Sequence, residues 1–174
     1  MINKEQIICE ISSKKIIAIA RGIYGEQCIN LAKALYDGGI SLLEITYDQS
    51  NSQSVQDTAD TLRALNSALG DKMMFGAGTV ISAQQVTVAV DAGAKIIGVN
   101  NRDLRDLTVD MNNSIRLRRM APADTVFVSE SGIKTADDIK SLRDNNVDAV
   151  LIGETLMRSS DKKAALQQLN GGPL

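Results

Sequence analysis

The chain has 174 residues, 44% of them hydrophobic, with a mean hydropathy of −0.06, which suits one well-filled domain and is short for two. Its 19 basic and 21 acidic residues give a formal charge of −2. Without a basic block or an aromatic-interleaved basic stripe, nucleic acid is not an expected partner and a small polar metabolite is. Histidine is absent, which excludes Ser-His-Asp and Cys-His catalysis and, with no Cys cluster, argues against a zinc site.

The first stretch, MINKEQIICEISSKK, lacks the hydrophobic core of a secretory leader, and no run of about 18 apolar residues follows. A cytoplasmic location without a membrane partner is expected. Cys9 and Cys28 fall in helical stretches without metal or Cys-x-x-Cys spacing, so both are expected as small buried hydrophobes with no disulfide. Short apolar, β-branched runs then recur at 16–21 (IIAIAR), 42–46 (LLEIT), 73–80 (MMFGAGTV), 96–100 (IIGVN), 126–130 (VFVSE) and 149–153 (AVLIG). Each is too short for a buried helix and is bounded by turn or polar residues, so six strands are predicted. Between them, Cys28, Leu31, Ala32 and Leu35 repeat at helical spacing ahead of Gly38-Gly39, and Ser82 is an N-cap candidate before Val86, Val90 and Ala94. The glycines of Gly38-Gly39 and Ala92-Gly93 fit helix ends. Arg116 to Met120, RLRRM, reads as a solvated helix face.

The alternation predicts a single α/β domain over 1–174, a TIM-barrel-like parallel βα repeat with six strands recognised instead of eight. Arg21, Glu44, Thr46, Thr79, Asn100, Glu130 and Gly153 fall at or near the C-terminal ends of the six strands, Glu44 and Thr46 sharing one. A barrel gathers those ends at one mouth, whereas an open sheet holds the outer ones apart, so a barrel-like arrangement is expected, and the sequence leaves open whether six strands close. An eight-stranded barrel takes about 250 residues, and two units are missing. Ala18, Ala20, Gly76, Gly78 and Gly98 are small enough to permit a tighter ring.

Over 14–95, the motifs IIAIARG, LAKALYDGGISLLEITYD and FGAGTVISAQQVTVAVDAGAK resemble the first three βα units of 2-keto-3-deoxy-6-phosphogluconate aldolase. From Gly93 onward, AGAKIIGVNNRDLRDLTVDMNNSIRL, VFVSESGIKTADDI and VDAVLIGETLMRS resemble the last three units of indole-3-glycerol phosphate synthase. The resemblance implies a chimera-like barrel, with an aldolase-like part at 1–95 and a synthase-like part at 96–174. It also implies a phosphorylated substrate and no cofactor.

Carried over by motif, Asn100 and Arg102 of NNRDL match the synthase's substrate-site Asn and Arg, and Glu130 matches its active-site glutamate. Ser131, Gly132, Gly153 and Glu154 occupy phosphate-cradling positions, with any contact at Glu154 made through backbone N–H and its carboxylate turned outward. The helices starting near Thr135 and Ser160 are expected to point their positive ends at the anion. In the aldolase-like part, Glu44 matches a general acid/base, Arg21 a strand-one arginine and Thr79 a substrate-contacting threonine. Asp48 stands near where that family often has an arginine.

The resemblance also implies a lysine for each reaction, on segments this chain lacks. Lys15, Lys72 and Lys95 lie at strand beginnings and Lys134 follows the phosphate turn. Three functions follow as expectations: a barrel-derived protein that keeps a phosphate or phosphosugar site without parental turnover, a carbon-carbon lyase of aldolase or synthase type, and an open barrel completed as a homodimer. For the last, unpaired strand edges need another chain or a covering helix such as 2–11.

Overall fold

The computed structural model describes residues 3–172. Helix α1 (Lys4–Lys14) is opened by a reciprocal cap between Asn3 and Gln6 and closed by Lys15 at φ 62°. Six βα units follow: β1 (Ala18–Arg21), α2 (Gly25–Asp37), β2 (Leu42–Thr46), α3 (Ser54–Leu69), β3 (Met74–Val80), α4 (Ala83–Asp91), β4 (Ile96–Asn100), α5 (Asn112–Arg118), β5 (Val126–Glu130), α6 (Ala136–Asp144) and β6 (Ala149–Leu151), then α7 (Glu154–Arg158) and α8 (Lys162–Leu169). All neighbouring strands pair in parallel, in the order β1-β2-β3-β4-β5-β6. The α/β repeat with six strands therefore stands as expected. Ser82 caps α4 through Gln85 N, and Gly39 and Gly93, both at φ 92°, supply the left-handed residues that end α2 and α4.

Alternation along the strands builds two apolar layers. Leu43, Ile45, Phe75, Ala77, Ile97, Val99 and Phe127 face the helices and are buried with Leu62, Leu65, Val86 and Leu117. On the other face, Ile96 and Val126 are covered by Ile7 of α1, with Ile11 and Met74 alongside. An ion pair between Lys4 and Asp148 at 2.7 Å and a hydrogen bond from Ser41 Oγ to Glu10 at 3.2 Å fix α1 over the strand beginnings. The chemistry is left to the opposite end.

Closure, which the sequence left open, does not occur: among the described residues β6 pairs only with β5 and β1 only with β2. Ile19 is 57% and Leu151 55% exposed on these edge strands. Several expectations need correction. The room above Gly78 and Gly98 is filled by the carboxylates of Glu44 and Glu130, so it is not free for tighter curvature. Helix α1 covers strand beginnings rather than the edges, because its apolar residue Ile7 meets Ile96 and Val126; residue 2 lies outside the described residues. β1 starts at Ala18, since Lys15 in the left-handed region turns the chain first, and β6 ends at Leu151. Cys28 is buried but Cys9 is exposed, on the solvent side of α1. The 116–120 stretch is not a wholly solvated face. Arg118 is 7% exposed, donates to the carbonyls of Asn146, Ala121 and Pro122, and lies over the Phe127 ring, because these acceptors satisfy a guanidinium that leaves water.

Candidate functional site

Two groups of polar residues form at the C-terminal ends of the strands. The first begins where β5 ends. Ser131 at φ 68° and Gly132 at φ 82° turn the chain through two successive left-handed residues, a conformation that costs a non-glycine residue on the order of 1 kcal/mol and persists only where surrounding contacts enforce it. Ile133 then returns to the core, and its carbonyl accepts from Thr155 Oγ1 at 2.6 Å, which ties this turn to the loop after β6. Between the two loops lies a cavity of about 730 Å³ whose wall includes Arg102, Ser131, Gly132, Lys134, Gly153 and Glu154, a size suited to a small ligand.

Donors in this cavity wall are available. The N–H groups of Gly132, Ile133 and Gly153 make no hydrogen bond to a protein acceptor among the described residues. The start of α6 is different: Lys134 N and Thr135 N both donate to Asp138 at 2.9 Å, and Asp138 N donates to Thr135 Oγ1. Nor is the helix after the second loop the one expected near Ser160. The segment ETLMR is helical from Glu154, and Asp161 caps the separate α8, because Ser159 returns to extended backbone between them. Glu154 is half-exposed and takes hydrogen bonds from Arg158 at 2.9 Å and Arg102 at 2.6 Å. Arg158, then Arg102, hold its carboxyl below the usual carboxylate range.

The second group sits on the inner face. A Cβ on Gly78 would overlap the Glu44 carboxylate, and one on Gly98 would overlap Glu130 Oε1 and lie 3.5 Å from Gly78 Cα. Glycine on β3 and β4 thus lets carboxylates from β2 and β5 lie across the two middle strands. Burial pushes the Glu130 carboxyl up to about 7; the Glu44 charge adds to this and Arg21 opposes it. Glu44 is likewise raised by burial and pulled back by Arg21. At neutral pH Glu130 is therefore poised to give or take a proton. Arg21 forms no ion pair within 4.0 Å among the described residues and acts on both carboxylates through space.

The predicted residues thus separate. Arg102, Ser131, Gly132, Gly153 and Glu154 share the cavity wall; Arg21, Glu44 and Glu130 share the charge cluster. Asn100 pairs in register with Glu130, and its Oδ1 accepts from Arg102 N at 2.9 Å. Thr79 stands apart from the cavity wall, 4% exposed at φ 58°, where the β3–β4 register shifts. Lys134 is exposed in that wall. Lys72 lies over the Tyr36 ring instead, near the strand beginnings.

Sequence reasoning passed over a buried set beside Asn100. Asn101, Ser114 and Ser129 are 3%, 0% and 0% exposed and hydrogen-bond one another. It also passed over the segment ahead of α5, where Val109 and Met111 pack on Gly132. Only the doubled asparagine after an apolar strand hinted at the former.

This parallel βα sheet, with its polar groups gathered at the strand C-termini, defines a TIM-barrel-like α/β protein. The profile of the indole-3-glycerol phosphate synthase family matches residues 55–169, and the chain belongs to that family. The synthase of Ruminiclostridium cellulolyticum is 58% identical over 87 residues, which is 50% of this chain and 34% of that protein. That of Leuconostoc mesenteroides is 48% identical over 100 residues, 56% of this chain and 38% of that protein. The chain thus spans little more than a third of the length of these relatives. A solved structure described as 4-hydroxy-2-oxoglutarate aldolase/2-deydro-3-deoxyphosphogluconate aldolase from TTHB1 superposes with a TM-score of 0.57 at 18% identity, covering 92% of this chain and 68% of that one. At that identity the likeness is one of fold.

Proposed function

We propose that the chain binds a glycerol-phosphate-type ester between the Ser131-Gly132 turn and the Gly153-Glu154 loop, and performs indole-3-glycerol phosphate synthase-type lyase chemistry beside it. The observation that carries this reading is the cavity of about 730 Å³ in which unpaired backbone donors meet Arg102 and Lys134, at the turn that directly follows Glu130. Backbone N–H groups approach an anion closely where glycine leaves room. Glu130, near neutrality in its proton affinity, supplies acid/base capacity. Asn100 and Arg102 orient the ligand from the β4 end. Family membership supports the lyase reading over the catalytically silent remnant expected from the missing lysine segments.

The protein contains no tryptophan, so the fluorescence of added indole-3-glycerol phosphate belongs to the ligand alone. Titrating protein into this compound should change its emission in a saturable way that inorganic phosphate competes away. Unchanged emission at millimolar protein-to-ligand excess would overturn the reading.

A composite origin is a second reading, supported by the border of the family match: it begins at residue 55, within α3, after Arg21 and Glu44. On that reading Glu44 is an aldolase-type acid/base. Borohydride reduction in the presence of pyruvate, followed by mass spectrometry, should then leave a covalent adduct on a lysine such as Lys134; an unmodified chain removes the Schiff-base version.

A further inference from the structure

Asn101 stands next to the residue that the NNRDL motif singles out, and its contacts set it apart from an ordinary buried amide. Its backbone N donates to the Glu130 carbonyl at 2.9 Å, and its carbonyl accepts from Asp110 N at 2.9 Å. Its side-chain Nδ2 donates to the Ser131 carbonyl at 3.1 Å and to Ser129 Oγ at 3.0 Å. Its Oδ1 accepts from Ser114 N at 3.1 Å and Ser114 Oγ at 2.7 Å, while the two serine hydroxyls meet at 2.8 Å. One residue therefore grips the carbonyls of both Glu130 and Ser131, the peptides on either side of the bend that carries the acid into the mouth.

We infer that Asn101 is the positioning residue of this site: through its side-chain Nδ2 it holds the Ser131-Gly132 turn, and with that turn the adjoining Glu130 carboxyl, in their ligand-binding arrangement. The inference deepens the function proposed above and rests on it for the identity of the ligand. The chemistry requires asparagine. Ser131 lies at φ 68°, a conformation that non-glycine residues keep only when neighbours over-determine it, and the Nδ2 bond to its carbonyl is such a restraint. A planar amide presents donor and acceptor on opposite sides at fixed separation. Aspartate keeps the acceptor for Ser114 and loses the donor for Ser131, and a shorter hydroxyl cannot span from α5 to the turn. Ser114 is the internal control, since it belongs to the same buried network but touches neither Glu130 nor Ser131.

The test compares Asn101→Ala with Ser114→Ala in the full chain, by three readouts. Two need no ligand: the amide resonance of Gly132, and the titration midpoint of the Glu130 carboxyl followed by carbon NMR. The third is affinity for glycerol phosphate. Asn101→Ala should shift the Gly132 amide and lower the Glu130 midpoint by about one pH unit or more, as a loosened turn lets water reach the carboxyl. It should also weaken ligand binding about tenfold, the size of one buried hydrogen bond. Ser114→Ala should leave all three near wild type. Equal shifts in both variants, or none in Asn101→Ala, overturn the inference by making the network merely structural.

If Asn101→Ala fails to fold, the isosteric Asn101→Asp replaces it, with the same Gly132 shift expected. Unfolding of both while Ser114→Ala folds assigns Asn101 to the core and also overturns the inference. Absence of ligand binding in the wild-type protein defeats the proposed function alone, because the two ligand-free readouts still judge Asn101.

Discussion

Replacing Glu130 by glutamine removes an ionisable group whose carboxyl is raised from an ordinary 4.5 to about 7 by burial, with Glu44 adding to the effect. Each pH unit corresponds to about 1.36 kcal/mol, so ionising Glu130 in the folded protein costs up to about 3 kcal/mol. Access of solvent from the mouth reduces this to about 2 kcal/mol. The folded state holds the proton more tightly than the unfolded state. The stability this contributes is fully present below pH 4.5 and is lost as pH rises through about 7. Urea unfolding of wild-type protein and Glu130→Gln should therefore give similar stabilities at about pH 4, with the variant ahead by about 2 kcal/mol at about pH 8. A difference between the two proteins that does not change with pH would refute the reasoning, and with it the poised acid at this site.

Gly132→Ala places a Cβ 2.9 Å from Met111 Sδ and into Val109 Cγ1, at φ 82°; a loss of about 1–3 kcal/mol in thermal or urea unfolding is expected. Ile7→Ala uncovers Ile96 and Val126 and should cost about 2–4 kcal/mol by urea unfolding, whereas an unchanged midpoint would show that α1 does not cap the strand beginnings. The β1 and β6 edges, unpaired among the described residues and with Ile19 and Leu151 exposed, should drive self-association to a dimer in light scattering as protein concentration rises, and Ile19→Lys with Leu151→Lys should reverse it. A monomer mass at every concentration would leave the edges unpartnered by a second copy.

Much of the architecture was legible because it rests on local pattern. The runs LLEIT and IIGVN, flanked by polar or turn residues, give strands whose bounds match, and the Ser82 cap and the glycines at 39 and 93 punctuate helices through backbone geometry alone. Whether the ends of the sheet meet was not legible, since closure depends on curvature summed over all six strands. Gly78 and Gly98 looked like room for a tighter ring, yet the space belongs to Glu44 and Glu130, a relation between residues more than 30 positions apart in sequence. The cavity residues were legible from the turns that carry them. Arg102 was not legible as a partner of Glu154, nor Asn101 as a donor to the Ser131 carbonyl, because both pairings join residues 30 or more positions apart that only the folded sheet brings together. Arg118 shows a related limit in the core, where a charged residue in a basic run is buried with two carbonyls from the turn just after it and a third from Asn146, 28 positions on.

The anion site proposed between the two loops is tested most directly by titrating glycerol phosphate into isotopically labelled protein and following backbone amides by NMR. The Gly132 and Gly153 amides, whose N–H groups have no protein acceptor among the described residues, should move first and saturate together, and added salt should weaken the binding. No perturbation at millimolar ligand, or shifts confined to residues outside the cavity wall, would contradict the proposed site.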